Sequence, residues 1–413
     1  MSNEEAAVSA RVFAARFCEE VYTVFVGVDI GKFRHQAAFL DYSGKDLCPT
    51  LAFDNTEDGF NAFFKTIESV GDGSIVIGME ATGHYWLNLY TAILSRDVEA
   101  HVINPIQTDA IRRMNIRKTK TDSVDCRYVA QVIRIGEYTD VAVQEADIAE
   151  LRQLCRYRYG LVDSVTALKN QITGILDRIF PEYRTLFSDI FGATSMELLK
   201  RYTTPECILN VPANRLCELL KKYSRGAFGE DKATKIRDAC KHSVGIGSHN
   251  PAFVFQLRQQ LQLIEFSQSQ IELVESRIEE CYSRFPCFLH TINGVGKISA
   301  AVILSEIGDI NNFDKPKKLV AFAGIDPSTF SSGNYTASIS HMSKRGSPYL
   351  RRALWNAADS ASRCNPVISE FYQQKRSEGK NHMTAVGACS RKLCYIVFGI
   401  LNNNTPFDPN FST

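Results

Sequence analysis

The chain lacks the features that mark exported and membrane-spanning proteins. Its N terminus, MSNEEAAVSARVFAARF, has no basic segment followed by a long apolar core, and no run of about 18 apolar residues occurs in the sequence. The twelve cysteines are scattered and no two form a C-x-x-C pair, so neither a zinc module nor a disulfide framework is indicated. We therefore expect no membrane segment and a reducing cytoplasmic environment.

An excess of charge of one sign is also missing. The 47 Lys and Arg residues nearly balance the 46 Asp and Glu residues, for a net charge of +1, so bulk charge does not indicate a nucleic-acid-binding protein. Any such surface must be local, and each of two basic clusters is either a binding surface or an ordinary solvated face. The clusters are Arg112, Arg113, Arg117, Lys118 and Lys120, and Lys344, Arg345, Arg351 and Arg352.

The stretch KTKTDSVDCRYVA, residues 118–130, places two aspartates where apolar residues are expected. At about 100° per residue, a helix from Asp122 to Ile135 carries Asp122 and Asp125 on its apolar arc. The opposite, polar arc holds Ser123, Arg127, Ala130, Gln131 and Arg134. A carboxylate on a packed face needs a counter-charge, and two at i, i+3 can converge on Mg²⁺ or Mn²⁺. The alternative is a pair of acids that only stabilises the helix N terminus.

The order of predicted elements before this helix is that of an α/β domain. Three antiparallel strands are predicted at TVFVGVDIGK, RHQAAFLD and LCPTLAFDN, followed by alternating helices and strands that include SIVIGME and VEAHVINP. This is the order of a ribonuclease H-like fold. Asp29 ends the first strand and Glu80 the fourth, so their carboxylates can meet at one end of the sheet. With Asp122 and Asp125 they make four acids, a set that suits two divalent ions in phosphoryl transfer.

The remainder of the chain is predicted to be mainly helical. Apolar residues recur at spacings of three and four over residues 148–180 and 254–285, where Gln268 and Glu275 interrupt the second run. These runs predict long paired helices, within or between chains, or an ordinary helical bundle. Residues 182–250 show no recognisable motif.

Two short stretches in the last third of the chain are predicted to be turns or loops. Gly294-Val295-Gly296 is either a helix-hairpin-helix turn that can hold a phosphate or a simple turn between helices. Ser331-Ser332-Gly333 is predicted by composition to be a loop.

Six motifs together resemble one family. VGVDIGK, GMEATGHY, KTDSVD, INGVGKISAAVILSEIGD, AFAGIDPSTFSSG and MSKRGSPYLRRALWNAA look like those of the DEDD transposases of bacterial insertion sequences. More narrowly, they resemble the one-ten family, the bridge-RNA-guided recombinases. The resemblance covers residues 22–180 and 285–400. Cys126 stands where the family usually has Ala, and since Cys packs as a small apolar residue the departure changes little.

The resemblance implies a domain order and an active site. After an N-terminal extension, residues 1–21, it implies a RuvC-like DEDD domain over residues 22–143. A helical coiled-coil region with an insert follows over residues 144–285, and a C-terminal transposase domain with a nucleophilic serine over residues 286–413. It also implies that Asp29, Glu80, Asp122 and Asp125 bind Mg²⁺ or Mn²⁺ and that Ser332, or its neighbour Ser331, forms a covalent phosphoserine link to DNA.

The resemblance further implies partners and location. These are donor and target DNA, a structured noncoding guide RNA, and further copies of this chain in a dimer or tetramer, in the bacterial cytoplasm at the nucleoid. The two basic clusters, Gly294 and Gly296 are then the expected nucleic-acid contacts, since local positive charge binds phosphates while base pairing reads sequence.

Three other interpretations compete with this one. VGVDIGK also resembles the phosphate loop of a sugar kinase or actin-like ATPase, but the second glycine-rich loop that such proteins need is missing and that fold does not explain KTDSVD. A Holliday-junction resolvase would use the same four acids by metal-assisted hydrolysis without a serine. A catalytically inactive nucleic-acid-binding relic is disfavoured by the intact acids.

Overall fold

The computed structural model describes residues 23–71, 73–81, 83–114, 122–136, 138, 146–327, 331–332, 335–336 and 342–410. The chain divides into two compact units, Met1–Val143 and Gln144–Thr413. The first is a mixed α/β unit and the second is mostly helical, as the sequence predicted.

The first unit is built on a five-stranded sheet with the strand order β3-β2-β1-β4-β5. The first three strands are antiparallel neighbours, and β4 and β5 continue the sheet in parallel with β1. The strands are β1 (Val24–Asp29), β2 (Arg34–Leu40), β3 (Leu51–Asp54), β4 (Ile75–Glu80) and β5 (Glu99–Ile103).

Helices cover both faces of this sheet. Among the described residues they are α1 (Glu57–Val70), α2 (Trp86–Leu94), α3 (Pro105–Met114) and α4 (Asp122–Ile135). The side chains of Phe63 from α1 and Ile93 from α2 are buried in one core with Val28 of β1 and Met79 of β4. Val129 and Ile133 of α4 form a separate buried cluster with Ile103 of β5. The apolar strands are therefore enclosed on both sides, which explains their near-continuous hydrophobic runs.

The second unit is organised around two long antiparallel helices, α5 (Ala146–Ile179) and α11 (Pro251–Tyr282). Arg158 donates from Nε to Glu275 at 2.6 Å, and Gln260 donates to Gln171 at 2.6 Å, so early residues of one helix meet late residues of the other. The prediction of paired long helices is confirmed in its intrachain form. Of the two interruptions of the apolar pattern, Gln268 is exposed and Glu275 is paired with Arg158.

Residues 182–250, in which the sequence shows no recognisable motif, form a small helical insert. Its helices pack on the ends of α5 and α11 that meet near Ile179 and Leu257. They are α6 (Tyr183–Leu186), α7 (Ala193–Arg201), α8 (Pro205–Leu209), α9 (Ala213–Tyr223) and α10 (Glu230–Lys241).

The other end of the helix pair packs with the C-terminal helices. These are α12 (Lys297–Ile307), α13 (Pro316–Ala323), α14 (Pro348–Cys364), α15 (Pro366–Ser377) and α16 (His382–Asn403). By length and composition α16 could cross a membrane. Its Leu393, Cys394 and Val397 are instead buried in the C-terminal core, as in the core helix of a folded domain.

Two local predictions in this region need correction. Ser331–Ser332 (β6) pairs antiparallel with Tyr335–Thr336 (β7), so this stretch is a small hairpin rather than an irregular loop. The Gly294 turn is preceded only by a 3₁₀ turn, Leu289–Thr291, and followed by α12. The first helix of the expected helix-hairpin-helix is therefore a single turn, because α11 already ends at Tyr282.

Candidate active site

Asp29 and Glu80 end two neighbouring parallel strands, as the sequence predicted. Asp29 is the last residue of β1 and Glu80 the last residue of β4. The register pairs Val28 with Met79, so the two acids that follow are level with each other. Because side chains alternate along a strand, both acids lie on the sheet face opposite Val28 and Met79.

Helix α4 covers this same face in very close contact. Gly27 and Gly78, each two residues before one of the acids, are paired in the sheet and lie under α4. A Cβ added at Gly27 would lie 2.1 Å from the backbone nitrogen of Ala130, and one added at Gly78 would lie 2.3 Å from Cδ1 of Ile133. Only glycine permits a helix to approach a strand this closely.

The start of α4 lies towards the acid-bearing strand ends. Asp125 is buried, with 9% of its surface exposed. Burial raises the pKa of the neighbouring Cys126 thiol to about 12, and the negative charges of Asp29 and Asp125 contribute to the rise. These two carboxylates therefore share one environment with Cys126, whose neutral thiol packs as a small apolar group. Asp122 is the first residue of α4, and its side chain lies outside the described part of the chain.

The predicted polar arc of α4 is wrong at one position. Ala130 is fully buried, because the missing side chain of Gly27 lets the helix backbone rest on the strand. Arg127 and Arg134 do face outward, where they hold the turn between β2 and β3. Arg127 pairs with Asp46 and donates to the carbonyl of Gly44 at 3.2 Å, and Arg134 donates to the carbonyl of Tyr42 at 3.1 Å. These contacts fix the rotation of α4 and with it the position of Asp125.

Glu80 has a partner that sequence reasoning missed. The Thr108 hydroxyl, on α3, lies within hydrogen-bonding distance of Oε1 of Glu80 and 2.9 Å from the carbonyl oxygen of Pro105. Nothing in the local sequence INPIQTDAIRRM marks this threonine, because its partner lies 28 residues earlier in the chain.

The donor set at this end of the sheet fits a hard divalent cation. Asp29, Glu80 and Asp125 offer carboxylate oxygens, the ligands that Mg²⁺ and Mn²⁺ prefer. Within the described part of the chain no three Asp, Glu, His or Cys side chains already form a metal-binding group. The Asp122 side chain lies outside the described residues, and the fit to a cation depends on the kind of donor and on the shared sheet end.

The candidate nucleophiles lie in the second unit. In the strand register Ser332 is opposite Tyr335 and Ser331 is opposite Thr336. The side chains of both serines lie outside the described part of the chain. The basic residues Lys344 and Arg345 follow in an exposed loop. This loop has a defined backbone, because the Lys344 amide donates to the Gly324 carbonyl and the Ser347 amide to the Phe322 carbonyl, each at 3.0 Å.

The other basic candidates fall into two groups. Arg351 donates to the Ala323 carbonyl at 3.2 Å, and Arg352 pairs with Asp163 at 2.8 Å, so both have intramolecular partners. Arg112 and Arg113 belong to α3, but their side chains are not described, and Arg117, Lys118 and Lys120 lie outside the described residues altogether.

The two glycines of the candidate phosphate-binding turn differ in their role. Gly294 has a φ of +95°, and an added Cβ would lie 2.6 Å from Cα of Ala361. Gly296 is the N-cap of α12 and has open space around it. The first glycine is therefore required by packing, whereas the second leaves the start of the helix accessible.

Comparison with known proteins places these features among transposases. Residues 26–181 match the family model of IS110-type DEDD transposases, and residues 288–373 match that of the transposase IS116/IS110/IS902 family. Together the two segments cover more than half of the chain.

Individual relatives are similar to this chain over most of its sequence. An uncharacterized protein of insertion element IS110 from Streptomyces coelicolor is 25% identical over 95% of this chain and 97% of its own length. A pilin gene-inverting protein from Moraxella lacunata is 23% identical over 93% of this chain and 97% of its own length. The transposase of insertion sequence element IS1111A from Coxiella burnetii is 24% identical over 81% of this chain and 76% of its own length.

Proposed function

Because this chain belongs to the IS110 family of DEDD transposases, enzymes that act on DNA strands, we propose that it is an RNA-guided recombinase of an insertion sequence. It cuts and rejoins donor and target DNA with a RuvC-like metal site and a serine nucleophile. The observation that carries the proposal is that Asp29 and Glu80 end neighbouring strands of a mixed sheet, where the helix that begins with Asp122 and carries Asp125 packs over them. The gene-inverting relative supports it, since inverting a gene requires strands to be cut and rejoined.

Asp29, Glu80, Asp122 and Asp125 hold the metal in this proposal. Bound Mg²⁺ or Mn²⁺ would offset the negative charge that develops on the phosphate oxygens during strand cleavage. The chain's own contribution is to hold the four carboxylates together at the sheet end. Gly27 and Gly78 let α4 approach the sheet closely. Arg127 and Arg134 fix the rotation of α4.

Ser332 is the proposed nucleophile. Its Oγ forms a bond to the scissile phosphorus as the P–O bond of the DNA strand breaks; the serine loses its proton and the departing DNA oxygen ends as a hydroxyl. The phosphoserine link conserves the energy of the broken bond, so attack by a hydroxyl of another strand can reseal the DNA without ATP. Lys344 and Arg345, exposed on the loop that follows the hairpin, contact the phosphates. Ser331 is the neighbouring alternative.

In this proposal the RNA and the protein recognise different features of the DNA. A structured guide RNA pairs with donor and target DNA and reads sequence, while the protein contacts backbones through its local basic residues and the Gly294–Gly296 turn. This suits a chain whose net charge is only +1. The sequence predicted three domains. In this proposal residues 22–143 hold the metal site, residues 144–285 assemble the oligomer, and residues 286–413 carry the serine that joins DNA. The protein acts in the bacterial cytoplasm at the nucleoid.

Covalent trapping tests this proposal. Wild-type protein incubated with guide RNA, DNA and Mg²⁺ should give DNA that stays attached to protein on a denaturing gel. Ser332→Ala should give none, because the attacking oxygen is gone. Ser331→Ala is the matched control and should still give the adduct. Asp125→Asn should lose strand cleavage while keeping the fold, since the carboxylate is needed and its volume is retained.

Other outcomes assign the chemistry differently. An adduct that persists in Ser332→Ala and disappears in Ser331→Ala moves the nucleophile by one residue. Metal-dependent cleavage with no adduct in any variant favours the runner-up, a junction resolvase that works by hydrolysis. Cleavage at the same sites in the absence of RNA contradicts RNA guidance.

A further inference from the structure

Thr108 is a buried polar residue beside the candidate metal site that the proposed chemistry does not use. It lies in the first turns of α3, which begins at Pro105, two residues after the last residue of β5. Only 1% of its surface is exposed. A buried hydroxyl needs a hydrogen-bond partner, and here two acceptors lie within reach, Oε1 of Glu80 and the carbonyl oxygen of Pro105.

The charge of each acceptor determines which one receives the hydrogen bond from the Thr108 hydroxyl. A threonine hydroxyl has one proton to donate. The Pro105 carbonyl is neutral, whereas Glu80 is a carboxylate, and hydrogen bonds to an ionised acceptor are about twice as strong as neutral ones. The Thr108 proton is therefore directed to Glu80. The bond to Pro105, three residues earlier in the same helix, is the local alternative that many helical threonines make.

The character of the donor matters for a metal ligand. An arginine or lysine at this place would bind Glu80 but would also neutralise the negative charge that a cation needs. A hydroxyl orients the carboxylate and leaves its charge in place. It also occupies only one of about four lone-pair positions on the two oxygens, so acceptor positions remain for a cation.

We propose that Thr108 is a positioning residue that orients the Glu80 carboxylate for a divalent cation. The inference rests on the proposed metal-dependent function. Partners of this kind behind metal ligands set the ligand's orientation, and their loss typically lowers metal affinity by about 10–100-fold. The role belongs to the fold, because α3 brings Thr108 to β4 across 28 residues of sequence.

Isothermal titration with Mn²⁺ on the full-length protein tests this role without relying on strand exchange. Thr108→Val keeps the branched shape and removes the hydroxyl, so Mn²⁺ should bind about tenfold or more weakly. Thr108→Ser keeps the hydroxyl and should bind within about twofold of wild type, because the hydrogen bond to Glu80 is retained. Glu80→Gln gives the background of Mn²⁺ binding to other acids. Melting temperatures in EDTA report any purely structural cost of each substitution.

Three results would overturn the role of Thr108. One is Thr108→Val binding Mn²⁺ as tightly as wild type, which leaves the metal site itself intact. Another is Thr108→Ser losing affinity as much as Thr108→Val, which shows that the hydroxyl is not the active feature. The third is wild type binding no more Mn²⁺ than Glu80→Gln, which removes the metal site and the positioning role together. Should Thr108→Val fail to fold, Thr108→Ala carries the same expectation.

Discussion

At the scale of single residues, Gly27 sets how closely α4 approaches the sheet. The atoms that an added Cβ would meet are backbone atoms, the nitrogen of Ala130 at 2.1 Å and the oxygen of Cys126 at 2.2 Å. A flexible side chain could move aside, but a helix backbone cannot do so without moving the whole element. Since α4 begins with Asp122 and carries Asp125, its displacement would also move the acids away from Asp29.

Gly27→Ala should therefore lower both stability and metal-dependent strand cleavage. Overpacking of a filled core costs about 1–3 kcal/mol. The matched control is Gly71→Ala in the same unit, where the nearest side-chain atom would lie at an ordinary 3.9 Å and little change is expected. Thermal melting and a cleavage assay measure the two effects. Wild-type behaviour of Gly27→Ala would show that the acids do not depend on this close contact.

At the scale of elements, a buried ionic network joins α5, α12 and α14. Glu306 on α12 is 1% exposed. Arg156 on α5 donates to its two carboxylate oxygens at 2.7 and 3.0 Å, and Ser347, the N-cap of α14, donates to Oε2 at 2.7 Å. The Ser347 hydroxyl oxygen also accepts from the amide of Leu350 at 3.1 Å. Hydrogen bonding to Glu306 raises the pKa of the Arg156 guanidinium.

The two charged partners should respond unequally to substitution. The Arg156 side chain is 41% exposed and that of Glu306 only 2%, so an arginine left alone can turn to water and a glutamate left alone cannot. Arg156→Met should destabilise the protein by less than the roughly 3–5 kcal/mol of an uncompensated buried charge, because Ser347 and Arg152 still act on Glu306, and Glu306→Gln should cost less again. The double variant should recover part of the loss. Chemical denaturation measures all three, and an equal cost for both single variants would contradict this account.

At the scale of the whole molecule, α11 exposes large apolar side chains in the part of the chain that the structure describes. Phe255, Phe266 and Leu273 are 66%, 63% and 65% exposed. Their spacings of eleven and seven residues place them on one side of the helix. A row of large exposed apolar residues is typical of an association surface. It supports the dimer or tetramer that the family resemblance implies.

Light scattering on the full-length protein, alone and with nucleic acid, should give a mass above the 46.3 kDa of one chain. Leu273→Glu should shift the mass towards a single chain, because it places a charge within the apolar row. Gln268→Glu, on an exposed position of the same helix away from that row, is the control and should leave the mass unchanged. A monodisperse single chain under both conditions would contradict the oligomer.

The sequence by itself determined the elements and the placement of the acids along them. The apolar runs bounded β1 and β4 so that Asp29 and Glu80 end them, and the periodic pattern predicted α4 from Asp122 to Ile135, the bounds that the structure has. These features depend on residues adjacent in the chain, whose periodicity is visible without a fold. The hairpin at Ser331–Ser332 escaped this reasoning because strands of two residues are too short to show a period.

Only the tertiary structure decided which surfaces meet. The burial of Ala130 depends on Gly27, the partner of Glu80 is Thr108, and the partner of α5 is α11 of the same chain. The position of the insert of residues 182–250 is likewise seen only from its packing on the ends of α5 and α11. Each of these contacts joins residues distant in sequence, and a local pattern shows that a face is apolar without showing what covers it. Close packing between such faces, which depends on single side chains, selects the partner.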